Sequence, residues 1–225
     1  MSDSNRKATI SKPHVGSVHA ASGAEGFSLV ELIVSMMITL VILGAAVAAF
    51  TGALQSRDLQ SSRTDALSSA QAAINIMTRE IGNSGYGLRR GQYASNGLVL
   101  GGDCTATRIH VRANVNNANS ATSDSAEDIT FYFDASTKSV VRYDAATNTT
   151  SGIINRVSNV QFTYHNYVAD GTSAPGSAAE ETGRVTIRLT VIMAGDNEDD
   201  YANTRNVVFE SDVTLRNSPY GMGQY

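Results

Sequence analysis

A single carboxylate stands near the start of the longest apolar stretch of this sequence. Glu31 lies four residues after Phe27, and the 25 residues from Leu32 to Ser56 carry no formal charge. An acidic side chain without a partner costs about 2.5–3.5 kcal/mol at the centre of a membrane helix, and less near its end. Glu31 is therefore a candidate functional residue, because a positive group at the same depth is needed to offset that cost.

The α-amino group of Phe27 is the cation that we expect to pair with Glu31. If the chain is cut after Gly26, this amine becomes a charged N-terminus, and two staggered helices would bring one amine beside the other carboxylate. At a separation of about 4 Å and an effective dielectric constant near 20, such a pair has about 4 kcal/mol of Coulomb attraction before desolvation. The spacing alone also allows a second interpretation, in which Glu31 reaches the membrane boundary and is solvated there.

A long helix must position these residues. A hydrocarbon core about 30 Å thick needs about 20 apolar helical residues, and residues 27–56 supply them without a proline. Five apolar residues beyond this span are spaced three or four apart and share one helix face: Leu67, Ala70, Ile74, Met77 and Ile81. We therefore predict one helix of about 55 residues, about 80 Å long, with a transmembrane part at 27–56 and an amphipathic part at 57–85.

Residues 86–225 are predicted to form a β-rich globular domain, because their apolar residues recur with a period of two. Strands are expected in six segments: 107–113, 128–134, 139–144, 156–167, 183–193 and 205–217. Two segments rich in small polar residues, 114–128 and 169–183, are expected to be surface loops. The predicted fold class is α+β, with the long N-terminal helix packed on a C-terminal antiparallel sheet.

Charge and composition narrow the classes of function. The chain has a net charge of −4 and no basic stripe, so nucleic acid is not an expected partner. Residues 1–26 are polar, carry a net positive charge and precede the apolar run, which is typical of a cytoplasmic leader and not of an ordinary secretory signal. Residues 57–225 are therefore expected outside the cytoplasm.

The segment Gly26-Phe27-Ser28-Leu29-Val30-Glu31, followed by the long apolar helix, resembles the prepilin cleavage and methylation motif of type IV pilins and of type II secretion pseudopilins. The resemblance covers directly only about residues 20–60. It implies a type IV pilin-like fold, leader removal between Gly26 and Phe27 by a membrane aspartyl prepilin peptidase, and N-methylation of Phe27. It also implies insertion of residues 27–81 into a helical filament in which Glu31 sets the register.

Two departures from the pattern of major pilins point to a minor pilin. Major pilins usually carry a helix-bending proline where this chain has Ala48, and many have a C-terminal cysteine pair, whereas Cys104 is the only cysteine here. The helix end and the strand segments resemble PilW-like minor pilins and J-type minor pseudopilins. The resemblance thus implies a non-enzymatic subunit that initiates or caps a type IV pilus.

The same resemblance implies a location and a set of partners. The chain would first span the bacterial inner membrane with its N-terminus in the cytoplasm, and would later reach the periplasm and the cell surface within a pilus. Its partners would be membrane lipid before assembly, the prepilin peptidase, the inner-membrane assembly platform and other major and minor pilins.

Two other functions remain open on the sequence. One is a minor pseudopilin of a type II secretion system, and the other is a membrane-anchored extracytoplasmic binding module or enzyme that keeps its N-terminus.

The remaining candidate residues carry weaker signals, and no cofactor, metal or catalytic residue is predicted. The acidic run at 196–200 could collect calcium but lacks the ligand spacing of an EF-hand, and a solvated hairpin tip is the alternative. His110 and His165 are expected to be ordinary strand residues, and Cys104 a small, half-buried apolar residue.

Overall fold

A computed structural model describes residues 26–89, 91, 93–117, 121–168, 171–193 and 206–219. The chain divides into two compact units between Thr51 and Gly52. The α+β class is confirmed, since one long N-terminal helix is followed by antiparallel sheets. Residues 1–25 of the predicted leader and the acidic run at 196–200 lie outside the described residues.

The helix α1 runs over Leu29–Gly82 and has 54 residues, close to the predicted length. Within the described residues it is long and apolar enough to cross a membrane, and none of its most apolar window is buried. The hydroxyls of Ser35, Thr39 and Thr51 donate to backbone carbonyls three or four residues earlier in the helix. These hydroxyls therefore need no partner outside the helix, as hydrocarbon requires.

Within the described residues, eight strands form two antiparallel sheets, where the sequence predicted one. The first sheet has the order β1-β2-β3-β4, with strands at Arg108–Arg112, Asp128–Asp134, Ser139–Asp144 and Thr149–Ile154. The second sheet has the order β6-β5-β7-β8, with β5 at Val157–Tyr167, β6 at Ser173–Gly176, β7 at Thr182–Ile192 and β8 at Asn206–Thr214. The sequence also predicts a hairpin of segments 128–134 and 139–144 and a terminal antiparallel pair of segments 183–193 and 205–217. Both are confirmed, as the pairings of β2 with β3 and of β7 with β8.

The second half of α1 contributes to one apolar core with both sheets. The five apolar residues predicted to share one helix face form what we call the seam of α1. Four of the five are buried, together with Ala73. Leu67, the first of the five, is 39% exposed, so the prediction was wrong for this residue. Burial of the helix face begins one turn later, at Ala70. Strand β7 supplies the most regular contribution from the sheets, since its alternate residues are all buried: Val185, Ile187, Leu189 and Val191.

Two strands were not predicted, because neither alternates. The first four residues of β4 are all exposed, and all four residues of β6 are exposed. Both are edge strands, where side chains can remain in water on each face. The prediction of a surface loop at 169–183 is therefore wrong for β6 and for the start of β7.

The other predicted surface loop, 114–128, contains buried polar residues. Asn114 and Glu127 are each about 1% exposed, and Asp128 already belongs to β2. The carboxylate of Glu127 accepts backbone N–H bonds from Asn116 and Asp124. Asn116 and Asp124 thus satisfy a buried carboxylate, which composition alone does not indicate.

Candidate functional site

The peptide bond between Gly26 and Phe27 lies in an exposed, non-helical segment directly before α1. The Leu32 N–H donates to the Ser28 carbonyl at 3.1 Å, which starts the helical hydrogen bonding two residues beyond Gly26. Phe27 is 84% exposed, and a Cβ built on Gly26 would meet no atom within 4 Å. An enzyme could reach this bond without unwinding the helix.

Glu31 lies in the first turn of α1 with an exposed side chain. In the part of the chain that the structure describes, its carboxylate has no hydrogen bond and no ion pair. The helix dipole favours an acid at this end, by about 0.3–1 kcal/mol at an exposed site. That is less than the cost of placing an unpaired carboxylate at the centre of a membrane helix, so the dipole alone would not offset that cost.

The apolar side chains that follow Glu31 form an exposed surface around the whole helix. Every residue from Leu29 to Leu54 is exposed, and the large apolar ones between Leu29 and Phe50 are about half exposed or more. Exposed apolar surface of this extent indicates contact with a membrane or with other proteins. The Glu31 carboxylate and the Gly26–Phe27 junction therefore both lie at one end of this exposed apolar surface.

The C-terminal end of α1 is tied to the first sheet by an ion pair that the sequence did not reveal. The Arg142 Nε donates to the Glu80 carboxylate at 2.9 Å, and both side chains are less than a fifth exposed. Arg142 pairs with Phe131 in the register of β2 and β3, a position where an apolar side chain would be expected. Thr78 also lies 3.4 Å from Ser211 of β8 through their hydroxyl oxygens.

Breaking the Glu80–Arg142 pair should destabilise the folded chain. We expect Glu80→Gln to lower the free energy of unfolding by about 1–3 kcal/mol, because the acceptor becomes neutral and the poorly solvated Arg142 loses its ion pair with Glu80. Arg108→Gln, which removes the half-exposed pair with Asp103, should cost less than about 1 kcal/mol. Urea unfolding of the full chain in detergent measures both changes in the free energy of unfolding. Equal changes would contradict a stabilising role for the Glu80–Arg142 pair.

A buried polar network fixes the chain where it leaves the helix. The Ser84 hydroxyl donates to the Asn96 carbonyl at 2.6 Å, and the Asn96 side-chain amide donates to the Ala179 and Thr182 carbonyls. Gly97 has a φ of +73°, and a Cβ there would come within 2.0 Å of the Gly85 nitrogen. The run Gly82-Asn83-Ser84-Gly85 predicts a helix stop, and α1 does end at Gly82. The network joins this helix end to the second sheet.

His110 is a strand residue of β1, as predicted. It also belongs to a cluster with Asp128 and Arg112, which was not predicted. Its Nε2 contacts Asp128 Oδ1, and the Arg112 Nε donates to Asp128 Oδ2 at 2.8 Å. Burial alone would raise the pKa of Asp128, but the hydrogen bonds from His110 and Arg112 outweigh burial and hold that pKa below its usual range. Asp128 is therefore a carboxylate that stays ionised and anchors Arg112.

His165 lies in a chain of hydrogen bonds across the second sheet. Since a guanidinium only donates, Arg184 donates to His165 Nδ1 at 3.3 Å, and His165 Nε2 then donates to the Thr186 hydroxyl at 2.9 Å. Thr186 in turn donates to Asp212. Burial and the Arg184 charge lower the pKa of His165, and the Asp212 charge offsets this only in part.

This network should make the chain less stable in mild acid. As pH falls through the ordinary histidine pKa of about 6.5, the unfolded chain takes up a proton before folded His165 does, so stability is lost. We expect the loss to be less than about 1 kcal/mol, because the group is partly solvated. His165→Gln keeps similar hydrogen bonds without titrating. Unfolding of both proteins between about pH 7.5 and 5 should therefore show a steeper decline for the original chain.

Cys104 is half-buried and packs against the core, as predicted. Burial raises the pKa of its thiol, so it is mostly protonated at neutral pH. Within the described ranges, no group of three His, Cys, Asp or Glu side chains is placed to hold a metal ion.

Comparison with known proteins identifies no relative of this chain. No protein-family model, no curated protein and no solved structure matches the chain significantly.

Proposed function

We propose that this chain is a prepilin that matures into a minor pilin and initiates or caps a type IV pilus. The observation that carries the proposal is the start of α1, where an exposed junction at Gly26 and Phe27 precedes an unburied apolar helix. That helix has one charged residue in its apolar part, Glu31, and the described chain offers it no partner.

Each part of this segment has a role in the proposed maturation. Before cleavage, residues 27–56 cross the inner membrane, with the basic leader in the cytoplasm and residues 57–225 outside it. A membrane aspartyl prepilin peptidase then hydrolyses the bond after Gly26, and the new amine of Phe27 is methylated. The methylated amine remains a cation, so it can still pair with a carboxylate.

Assembly exchanges lipid neighbours for helix neighbours around the apolar half of α1. Packing brings the Phe27 amine of one subunit to Glu31 of the next, and the pair sets the axial stagger of the two helices. In hydrocarbon a mismatched stagger leaves two unpaired charges, so the correct register is favoured over its alternatives.

The globular part supports the same proposal through its architecture. A type IV pilin-like fold has one long helix packed on an antiparallel sheet, and here the seam of α1 shares a core with antiparallel strands. The Glu80–Arg142 pair holds the helix end against β3. The proposed partners are the assembly platform and the other major and minor pilins.

The decisive experiment compares two locations for the mature chain in a strain with both a pilus and a type II secretion system. Mass spectrometry of sheared pili should find this chain at low stoichiometry, beginning at methylated Phe27. Its absence from pili, together with a secretion defect on deletion, would assign it to a secretion pseudopilus. A chain that keeps its leader in that strain would contradict both assignments and favour a membrane-anchored module.

A further inference from the structure

A small cavity of about 210 Å³ lies beside β1 in the globular unit, which is the compact unit that begins at Gly52. The proposed assembly assigns no role to the residues that form this cavity. Its lining includes one cation, one anion and one aromatic ring: Arg112, Glu180 and Tyr93. Pockets for drug-sized ligands usually measure about 300–1,000 Å³. This cavity is therefore suited to a molecule the size of one amino acid.

Arg112 is held in place before any ligand arrives. Its Nε donates to Asp128, whose other oxygen contacts His110, and its guanidinium carbon lies 5.7 Å from the centre of the Tyr93 ring. Within the described residues, the two terminal nitrogens of this guanidinium have no acceptor. A guanidinium fixed along one edge presents a planar pair of donors on the other, which matches the two oxygens of a carboxylate.

The rest of the lining adds two requirements for a ligand. The Tyr93 ring supplies a flat apolar face. Glu180 is an exposed acid in the same lining, so it can accept from an ammonium group without a large desolvation cost. A ligand that meets all three conditions carries a carboxylate, an ammonium and an apolar side group.

We propose that this cavity binds a free α-amino acid with an apolar or aromatic side chain. Its carboxylate lies on the terminal nitrogens of Arg112, its ammonium faces Glu180, and its side chain packs on the Tyr93 ring. The site belongs to the globular unit alone, so it does not depend on the proposed cleavage or filament assembly.

The test is calorimetric titration of the full chain in detergent with leucine and phenylalanine. We expect saturable binding with a dissociation constant below about 1 mM. Leucinamide, which lacks the carboxylate, and N-acetyl-leucine, which lacks the ammonium, should each bind at least about tenfold more weakly. Failure of both amino acids to bind at about 10 mM, or equal binding of leucinamide and leucine, would overturn the proposal.

Three variants connect this binding to the named side chains. Arg112→Lys keeps a cation beside Asp128 but loses the planar fork, and should weaken leucine binding at least about tenfold. Glu180→Gln, at an exposed position, should weaken leucine binding but leave N-acetyl-leucine unchanged. Glu181→Gln, the exposed neighbour outside the lining, is the matched control. Equal binding by the Glu180 and Glu181 variants would contradict the ammonium contact.

Discussion

In cells with an active prepilin peptidase, Gly26→Val should remain uncut, whereas Gly52→Val should be cut normally. At both positions a Cβ would meet no atom within 4 Å, so the fold tolerates either side chain equally. Only at Gly26 does the branched side chain adjoin the bond to be cut, where it restricts the backbone and blocks close approach of the peptidase. The two variants thus separate an effect on cleavage from an effect on the chain itself.

The measurement is the intact mass and the N-terminal residue of the membrane-extracted protein. We expect Phe27 as the first residue of the original chain and of the Gly52 variant, and residual leader on nearly all of the Gly26 variant. Without a free Phe27 amine the uncut chain cannot form the proposed pair, so it should also be missing from sheared filaments. Efficient cleavage of Gly26→Val would show that the junction is not the processing site.

The sequence predicted the helix well because two independent patterns mark it. An uncharged run of 25 residues and an apolar spacing of three and four continue into each other without a proline, and local preference and tertiary packing favour the same structure. The regular strands were found for the same reason, since β7 alternates between buried and more exposed residues from Gly183 to Ile192. Leu67 shows the limit of such patterns, which give the face of a helix but not where its cover begins.

The strands β4 and β6 were missed because an edge strand is defined by its neighbour. Their backbones pair with β3 and β5, while their side chains remain largely exposed. Hydrogen bonding to a neighbour that is fixed elsewhere in the chain leaves no period of two in the sequence. The sequence likewise does not show which strands pair with each other, so one sheet was expected where the structure has two.

The candidate site and the cavity differ in how far the sequence could indicate them. Gly26, Phe27 and Glu31 lie within six residues, so the sequence alone shows that they are neighbours. Glu80 and Arg142 are 62 residues apart, and Arg112 meets Asp128 only through the pairing of β1 with β2. In a single sequence, pairs of this kind look like ordinary surface charges.

Glu31→Ala should have opposite effects on the membrane-inserted chain and on the filament. Before assembly, removing an unpaired carboxylate makes insertion easier, by up to about 2.5–3.5 kcal/mol at the helix centre and less at its end. In the filament, the same change leaves the partner's Phe27 amine without its carboxylate, at a cost of a few kcal/mol. A general folding defect would instead lower both membrane insertion and incorporation into the filament.

The expected result is that Glu31→Ala is inserted and cut at Phe27 at least as well as the original chain, but is depleted in sheared pili. Each 1.4 kcal/mol lost in assembly corresponds to about a tenfold decrease in incorporation, so depletion of tenfold or more is expected. Quantitative mass spectrometry of the membrane and pilus fractions gives both numbers from one culture.

Two further substitutions at the same position identify the property that matters. Glu31→Gln keeps the size and hydrogen-bonding capacity of the side chain but removes its charge, whereas Glu31→Asp keeps the charge on a shorter arm. If the carboxylate sets the register by pairing with an amine, the Gln variant should be depleted nearly as strongly as the Ala variant. The Asp variant should retain more incorporation than either, since a charged pair tolerates some change in distance better than loss of one charge. Normal incorporation of Glu31→Gln would remove the ion pair from the mechanism and leave the apolar helix surface as the source of assembly.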